Sequence, residues 1–518
     1  MIGLDKYDTE GFSAGYREVM DSLKAVREGQ PKTYDSVSPE VAESLVRCLW
    51  FDGMFKSEGL ETEDQRPLRV LSPGRWNVEP GPDFNGAQVS IAGGPVMTGD
   101  VEVHVNAEDW AAHGHAQNPA YANVVLHVTL WNRSGQKTIT NSAGKAVPQL
   151  TLQRFLESDI SELVRSVDVE DYPGGAQNRQ GLCRARLARG ATSVEWLARF
   201  LDLAGDERVI VKSRDLQNLL RGRTLDRVLY EGTMEALGYK TNKKPFRQLA
   251  QRLRLEDVRR LVPMDASPDD RALVLQGMLF GMAGLLPSQT NHDISANDEE
   301  TQKYAKQLEA IWEGERKSLA FQPMSLADWQ FQAMRPVNYP TRRMAGMSYL
   351  LADHLEGGLF RAVIEVLERA RWSDEKRTAA SVKPSLLDGL FGQANRGYWS
   401  RRYVFGGKHL ARPTALIGKE RARAIVVNVV IPLLLVHARQ KEDQPLERRL
   451  HALYSTLPRA EGNNVTRYME STLFPSPETA ADVVRTVRRQ QGLYQIFKDC
   501  CDSQALRCDD CVLVRAME

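Results

Sequence analysis

The alternation in Gly99-Asp100-Val101-Glu102-Val103-His104-Val105 constrains this chain more than any other stretch. A strand sends residues i, i+2 and i+4 to one face. Asp100, Glu102 and His104 therefore share a face, and Val101, Val103 and Val105 fill the other. Upstream, Gly81-Pro82-Asp83-Phe84 leads into a second strand, and the turn at Ala92-Gly93-Gly94-Pro95 folds the two side by side. Carboxylates and an imidazole converging from paired strands make a hard, oxygen-rich site, which suits Mg2+ or Mn2+ better than a soft metal.

Around this pair the sequence reads as an α/β domain. Ser38-Pro39-Glu40 is a helix start, with Ser38 as N-cap and Pro39 at the first helical position. That helix carries Val41, Leu45, Leu49 and Phe51 to about Phe55, with Glu43 along it. Strands are expected at 68–71, 87–91, 100–106, 122–131, 136–140 and 147–152, with a short helix at 108–115. The segment at 122–131 is apolar and β-branched enough to be central. The resulting order is α-β-β-β-α-β, ending near residue 155, and no internal repeat is visible.

Beyond 156 the period becomes helical. Helices are expected at 160–167, 193–220, 225–237, 245–254, 255–262, 269–285, 299–318, 344–353, 359–370, 418–439, 445–456, 463–470 and 478–499. Thr192-x-x-Glu195 reads as a capping box and Gly238 as a stop. The fold class expected is therefore α+β: an N-terminal α/β domain followed by a large all-α body. At 518 residues the chain exceeds one ordinary core. The divisions read are an extension at 1–37, the α/β domain at 38–155, a helical domain at 156–370 and a C-terminal helical domain at 371–518.

Charge is balanced, 68 basic against 67 acidic residues, so only a local basic groove would serve nucleic acid. The first thirty residues carry no apolar signal core, and the apolar run at 424–438 is interrupted by Asn428 and Pro432. It falls short of the ~20 residues a bilayer needs. A cytoplasmic protein without membrane attachment is expected. No phosphate-binding loop, dinucleotide glycine pattern, G-x-S-x-G or H-E-x-x-H occurs, so NTPase, dehydrogenase, serine-hydrolase and zincin classes lack support.

The tail gives a second chemical signal. Cys500, Cys501, Cys508 and Cys511 fall within the last nineteen residues, and Cys508-x-x-Cys511 has the spacing of a metal knuckle. Zn2+ on three or four thiolates is the simplest reading. A 4Fe–4S cluster is the rival, because C-x6-C-x2-C also occurs in iron–sulfur DNA glycosylases. A reduced, redox-sensitive tail is the plain alternative. Elsewhere, Tyr398-Trp399-Ser400-Arg401-Arg402-Tyr403 reads as core packing with base stacking as its rival. Arg335, Arg342 and Arg343 flank a Pro-rich loop, as a phosphate site or a solvated face.

Two resemblances add to this. The run Pro73-Gly74-Arg75-x-Asn77-x-Glu79-x-Gly81-Pro82-Asp83-Phe84, then Gly99 to His104, Asp109-Trp110, His113-Gly114-His115 and Tyr121-x-Asn123-Val124-Val125-Leu126-His127-Val128, resembles the bacterial domain-of-unknown-function 2851 family. Tyr230-Glu231-Gly232, Ala236-Leu237-Gly238-Tyr239, Arg335-Pro336-x-Asn338-x-Pro340 and the cysteine tail extend the likeness over nearly the whole chain past residue 38. Second, Pro82-Asp83 followed nineteen residues later by Glu102-Val103-His104 is similar to the PD-(D/E)xK nuclease core, itself α-β-β-β-α-β. That likeness implies Asp83 and Glu102 as Mg2+ or Mn2+ ligands, Glu43 as the helical acid, and His104 where the superfamily has lysine. Arg75 would neutralise phosphate, and His113 and His115 would line the cleft rim. The function so implied is a metal-dependent nuclease acting on DNA or RNA. The alternative is a catalytically degenerate nucleic-acid- or protein-binding scaffold.

Overall fold

Among the residues described by the computed structural model, seven strands occupy the first third of the chain: β1 (Leu68–Ser72), β2 (Arg75–Trp76), β3 (Phe84–Ile91), β4 (Met97–Asn106), β5 (Val124–Trp131), β6 (Thr138–Thr140) and β7 (Ala146–Thr151). The described residues are 4, 11–25, 41–56, 58–77, 81–156, 158–167, 182–190, 192–239, 241–331, 334–369, 385–392, 396–501 and 511–517. The helix start at Ser38 and Pro39, and Cys508 in the tail, lie outside them.

The strands form one mixed sheet in the order β1-β3-β4-β5-β7-β6, with β2 on β3. β1, β3 and β4 run antiparallel through tight turns, whereas β4, β5 and β7 are parallel. β5 is covered by a strand on each edge, and nearly all its residues are buried, as its continuous apolar run demands. β3 begins three residues earlier than expected, directly after Asp83, because a bulge between Phe84 and Ala87 carries the pairing past Gly86.

Three helices frame the sheet and its neighbour. α1 (Gly15–Ala25) belongs to the helical body. α2 (Glu43–Phe51) packs against β4 and β5, and α3 (Asp109–Ala112) follows β4. The apolar side of α2 explains its placement: Leu45, Val46, Leu49 and Trp50 join Phe84, Val101, Val103, Leu126, Val128 and Leu150 in one core. Burying each such side chain is worth ~1.5–3 kcal/mol. Trp50 also donates its indole N–H to the Pro73 carbonyl at 3.1 Å, which ties the helix to the β1–β2 turn. On the other sheet face Trp110, Tyr121, Val124, Ile139 and Val147 make a smaller cluster.

The helical body matches the expected periodicity closely, with instructive differences. α4 (Val194–Leu219) is capped by Ser193, whose hydroxyl accepts from the Trp196 N–H; Thr192 instead donates to the Met517 carbonyl at 2.7 Å. The expected helix at 418–439 contains a π-helical turn at Val426–Val430 just before Pro432. The expected helix at 478–499 is broken at Val484, and its second half is α5 (Val487–Ile496). α4 and α5 cross closely. A Cβ on Gly205 would lie 2.1 Å from the Arg488 carbonyl oxygen, and one on Gly492 would lie 2.2 Å from that of Leu201. Asp206, fully buried beside this crossing, accepts from Arg488 Nε at 2.8 Å.

Two helical cores result. One runs from Val209 to Val487 and joins residues on both sides of position 371. The second unites Tyr16, Val19 and Met20 of α1 with Leu197, Phe200, Leu493, Leu513 and Met517. The region expected as a loose extension thus contains a docked helix, because α1 has an apolar face that the sequence hides among charges. Two stretches, Pro268–Thr290 and Lys419–Gln440, are long and apolar enough to cross a bilayer, and most of each is buried within the body.

Arg342 and Arg343 are buried, not surface phosphate ligands. Arg342 donates to the carbonyls of Trp399 and Arg402, the latter at 2.8 Å, and to Thr414 Oγ1 at 2.6 Å. Tyr398, Trp399 and Arg402 are buried too, so that stretch packs as core.

Candidate metal and acid–histidine centre

Glu102 and His104 leave β4 on the face away from Val101 and Val103, and both are buried. Pairing of Phe84 with Val101 places Asp83 beside Glu102, and the Asp83 N–H donates to Glu102 Oε2 at 3.0 Å. The Val103 N–H donates to Asp83 Oδ2 at 2.9 Å, and Arg47 Nε of α2 lies 3.0 Å from Asp83 Oδ1. Asp100 is not drawn into this group. It accepts from the Gly86 N–H and from Asn123, steadying the bulge.

Histidines close the cluster. His115 Nε2 lies 3.2 Å from Glu102 Oε1 and 3.2 Å from His104 Nε2. His104 Nε2 is 3.6 Å from Glu102 Oε1 and 3.1 Å from His113 Nδ1. The chain between the last two histidines reverses at Gly114, whose φ of +70° lets His113 and His115 aim at one point. His113 is exposed and His115 buried, so the cluster meets solvent on the His113 side. Tyr121 stacks on His115 with ring centroids 4.0 Å apart, and Trp110 stands edge-on to His115 and tilted against His127.

Behind His104 lies a hydrogen-bonded chain that fixes protons. Gln149 Nε2 donates to the Gln136 carbonyl at 2.6 Å, so its Oε1 faces His127 Nδ1 at 2.8 Å. His127 Nδ1 must therefore donate, and its Nε2 must accept from His104 Nδ1 at 2.8 Å. The consequence is a lone pair on His104 Nε2, aimed into the cluster.

Electrostatics agree with a centre short of positive charge. Burial, then the neighbouring carboxylates of Asp83 and Glu43, pushes the Glu102 carboxyl well above its ordinary range. Burial also raises Asp83, against the pull of Arg47 and the Val103 N–H. Burial lowers His104 strongly, lowers His115 to about 4 and lowers His127 to about 3. Burial thus favours the neutral form of these three imidazoles, which offers a lone pair.

The residues named from sequence are thus distributed unevenly. Asp83, Glu102, His104, His113 and His115 come together. Glu43, half-buried on α2, is near enough to perturb Glu102. Arg75 is exposed on β2 opposite Asn85, and the guanidinium that touches Asp83 is that of Arg47. Asp83 is held between the Val103 N–H on Oδ2 and the Arg47 guanidinium beside Oδ1. Among the described residues, His104, His113 and His115 form a group of three metal-capable side chains whose ligand atoms lie within 4.8 Å of one another.

Arg47, His127 and Gln149 were missed as parts of the site. Arg47 sits one helical turn after Glu43, which is a readable signal; Gln149 carries none. In the tail, Cys500 and Cys511 are buried in hydrogen-bond contact, which lowers the Cys511 thiol to about 6 and raises that of Cys500.

The fold and centre define an α+β protein with a buried acid–histidine cluster on a mixed sheet and a large helical body. The family described as "Protein of unknown function (DUF2851)" matches residues 43–464, and the chain belongs to it. No curated protein and no solved structure matches the chain.

Proposed function

We propose that this protein is a metal-dependent phosphodiesterase acting on nucleic acid, with its chemistry at the Glu102–histidine cluster. The observation that carries the reading is the convergence of His104, His113 and His115, open to solvent through His113, with Glu102 against His104 and His115 and Asp83 beside it. The strand order, with the acids on adjacent strands after a helix, agrees with the PD-(D/E)xK likeness. A divalent cation held there would polarise a phosphoryl oxygen and ease deprotonation of water.

The chain's own residues supply the rest. On this reading Glu43, near enough to perturb Glu102, would accept a proton from the attacking water. Arg47 neutralises Asp83 and keeps it oriented toward the Val103 N–H. Exposed Arg75, one strand from Asp83, is available to a phosphate of the bound strand.

The test is cleavage of single- and double-stranded DNA and RNA by the full chain with Mg2+, Mn2+ or Zn2+. Glu102→Gln and His113→Ala are expected to lower the rate by ~10²-fold or more. Equal cleavage by all three proteins removes the cluster from the mechanism. The buried Arg47–Asp83 pair favours a second reading, a binding scaffold that has lost catalysis. Tight nucleic-acid binding without turnover under every metal would select it.

A further inference from the structure

We propose that Glu102, His104, His113 and His115 form a four-ligand site for a zinc-class divalent cation, with His127 and Gln149 as positioning residues behind it. The inference deepens the reading above by naming the metal, and it stands or falls on binding alone.

Geometry carries it. Zinc–nitrogen bonds of ~2.0–2.1 Å in a tetrahedron place neighbouring ligand atoms roughly 3.3–3.4 Å apart. Four of the six pairs show separations near this: 3.1 Å for His104 to His113, 3.2 Å for His104 to His115, 3.2 Å for His115 to Glu102 and 3.6 Å for His104 to Glu102. The three histidine nitrogens all lie within 4.8 Å of one another, and Glu102 joins them through His104 and His115. Three nitrogens to one oxygen is a poor set for Mg2+, which demands hard oxygen ligands and keeps several waters.

The proton chain is the independent argument. The Gln136 carbonyl orients Gln149, Gln149 sets the tautomer of His127, and His127 sets that of His104. Each link leaves the next nitrogen with one possible role. The outcome is a His104 Nε2 lone pair held in direction by three residues, the arrangement that tunes metal-ligating histidines. Trp110 and Tyr121 wall the inner side, and exposed His113 marks the side from which an ion enters. On that side a substrate oxygen could become a fifth ligand.

The experiment uses the full chain stripped with a chelator and dialysed against Zn2+, Co2+ or Mg2+ alone. Bound metal is counted, and the Co2+ form is read by its visible spectrum. His113→Ala and Glu102→Gln are each expected to bind one Zn2+ fewer than the natural chain, whatever the tail cysteines hold. Their circular dichroism should match that of the natural chain. Should either variant misfold, His127→Leu decides, because it leaves every ligand in place. It is expected to weaken Zn2+ binding ~10–100-fold, while His127→Gln, which keeps a donor and an acceptor, restores it.

An unchanged zinc count in both ligand variants, or Mg2+ binding as tightly as Zn2+, overturns the site. Equal affinity in His127→Leu overturns the positioning role. Zinc held without cleavage sinks only the phosphodiesterase, and Mg2+-driven cleavage without a zinc site sinks only this inference.

Discussion

His127 offers a sharp test of the buried centre. It is fully buried, donates to Gln149 and accepts from His104. Burial takes its imidazole from an ordinary value of 6.5 to about 3. Above the ordinary value, folded and unfolded chains are both neutral at this residue, so it costs nothing. Between the two values the unfolded chain binds a proton that the folded chain refuses. Stability therefore falls as pH falls, by ~1.4 kcal/mol per unit. From pH 7 to pH 5 the loss from His127 alone is about 2 kcal/mol.

The assay is urea unfolding of the chelated protein at pH 7, 6 and 5, compared with His127→Gln. Glutamine keeps both hydrogen bonds and cannot titrate, so the difference between the two proteins should shrink toward pH 5 by about 2 kcal/mol. A constant difference, or a His127 ring signal titrating near its ordinary value, would refute the assigned burial and tautomer.

Three further outcomes follow from contacts already described. Arg47→Met should destabilise by ~3–5 kcal/mol, because it strands the buried Asp83 carboxylate. Adding Asp83→Asn should recover part of that loss, and both are read as denaturation midpoints. Gly492→Ala should lower stability by ~1–3 kcal/mol or more, since α4 and α5 must separate to admit a methyl. An unchanged melting temperature would deny the close crossing. Arg342→Lys should cost ~1.5–3 kcal/mol, because an ammonium cannot span Arg402 and Thr414 at once, and calorimetry would show it.

Much of this was legible in the sequence. Period-two alternation put Glu102 and His104 on one face, and helix boundaries fell within a few residues wherever a cap or glycine marked them. The misses share a cause: they depend on what lies across space. Thr192 looked like a cap until Ser193, with the better backbone angle, took the first turn. The π-helical turn at 426–430 had no signal in the helical period. His127 lies in an apolar strand and is buried. Only the parallel register of β4 on β5 makes it the backing for His104. The acids themselves were visible, but Arg47 was not credited with reaching Asp83.

The second helical core has a consequence for biosynthesis. α1 leaves the ribosome long before Leu513 and Met517, which pack in the same cluster. At roughly 5–20 residues per second the first helix waits half a minute to two minutes for those partners. Throughout that interval Tyr16, Val19 and Met20 are without their final cover.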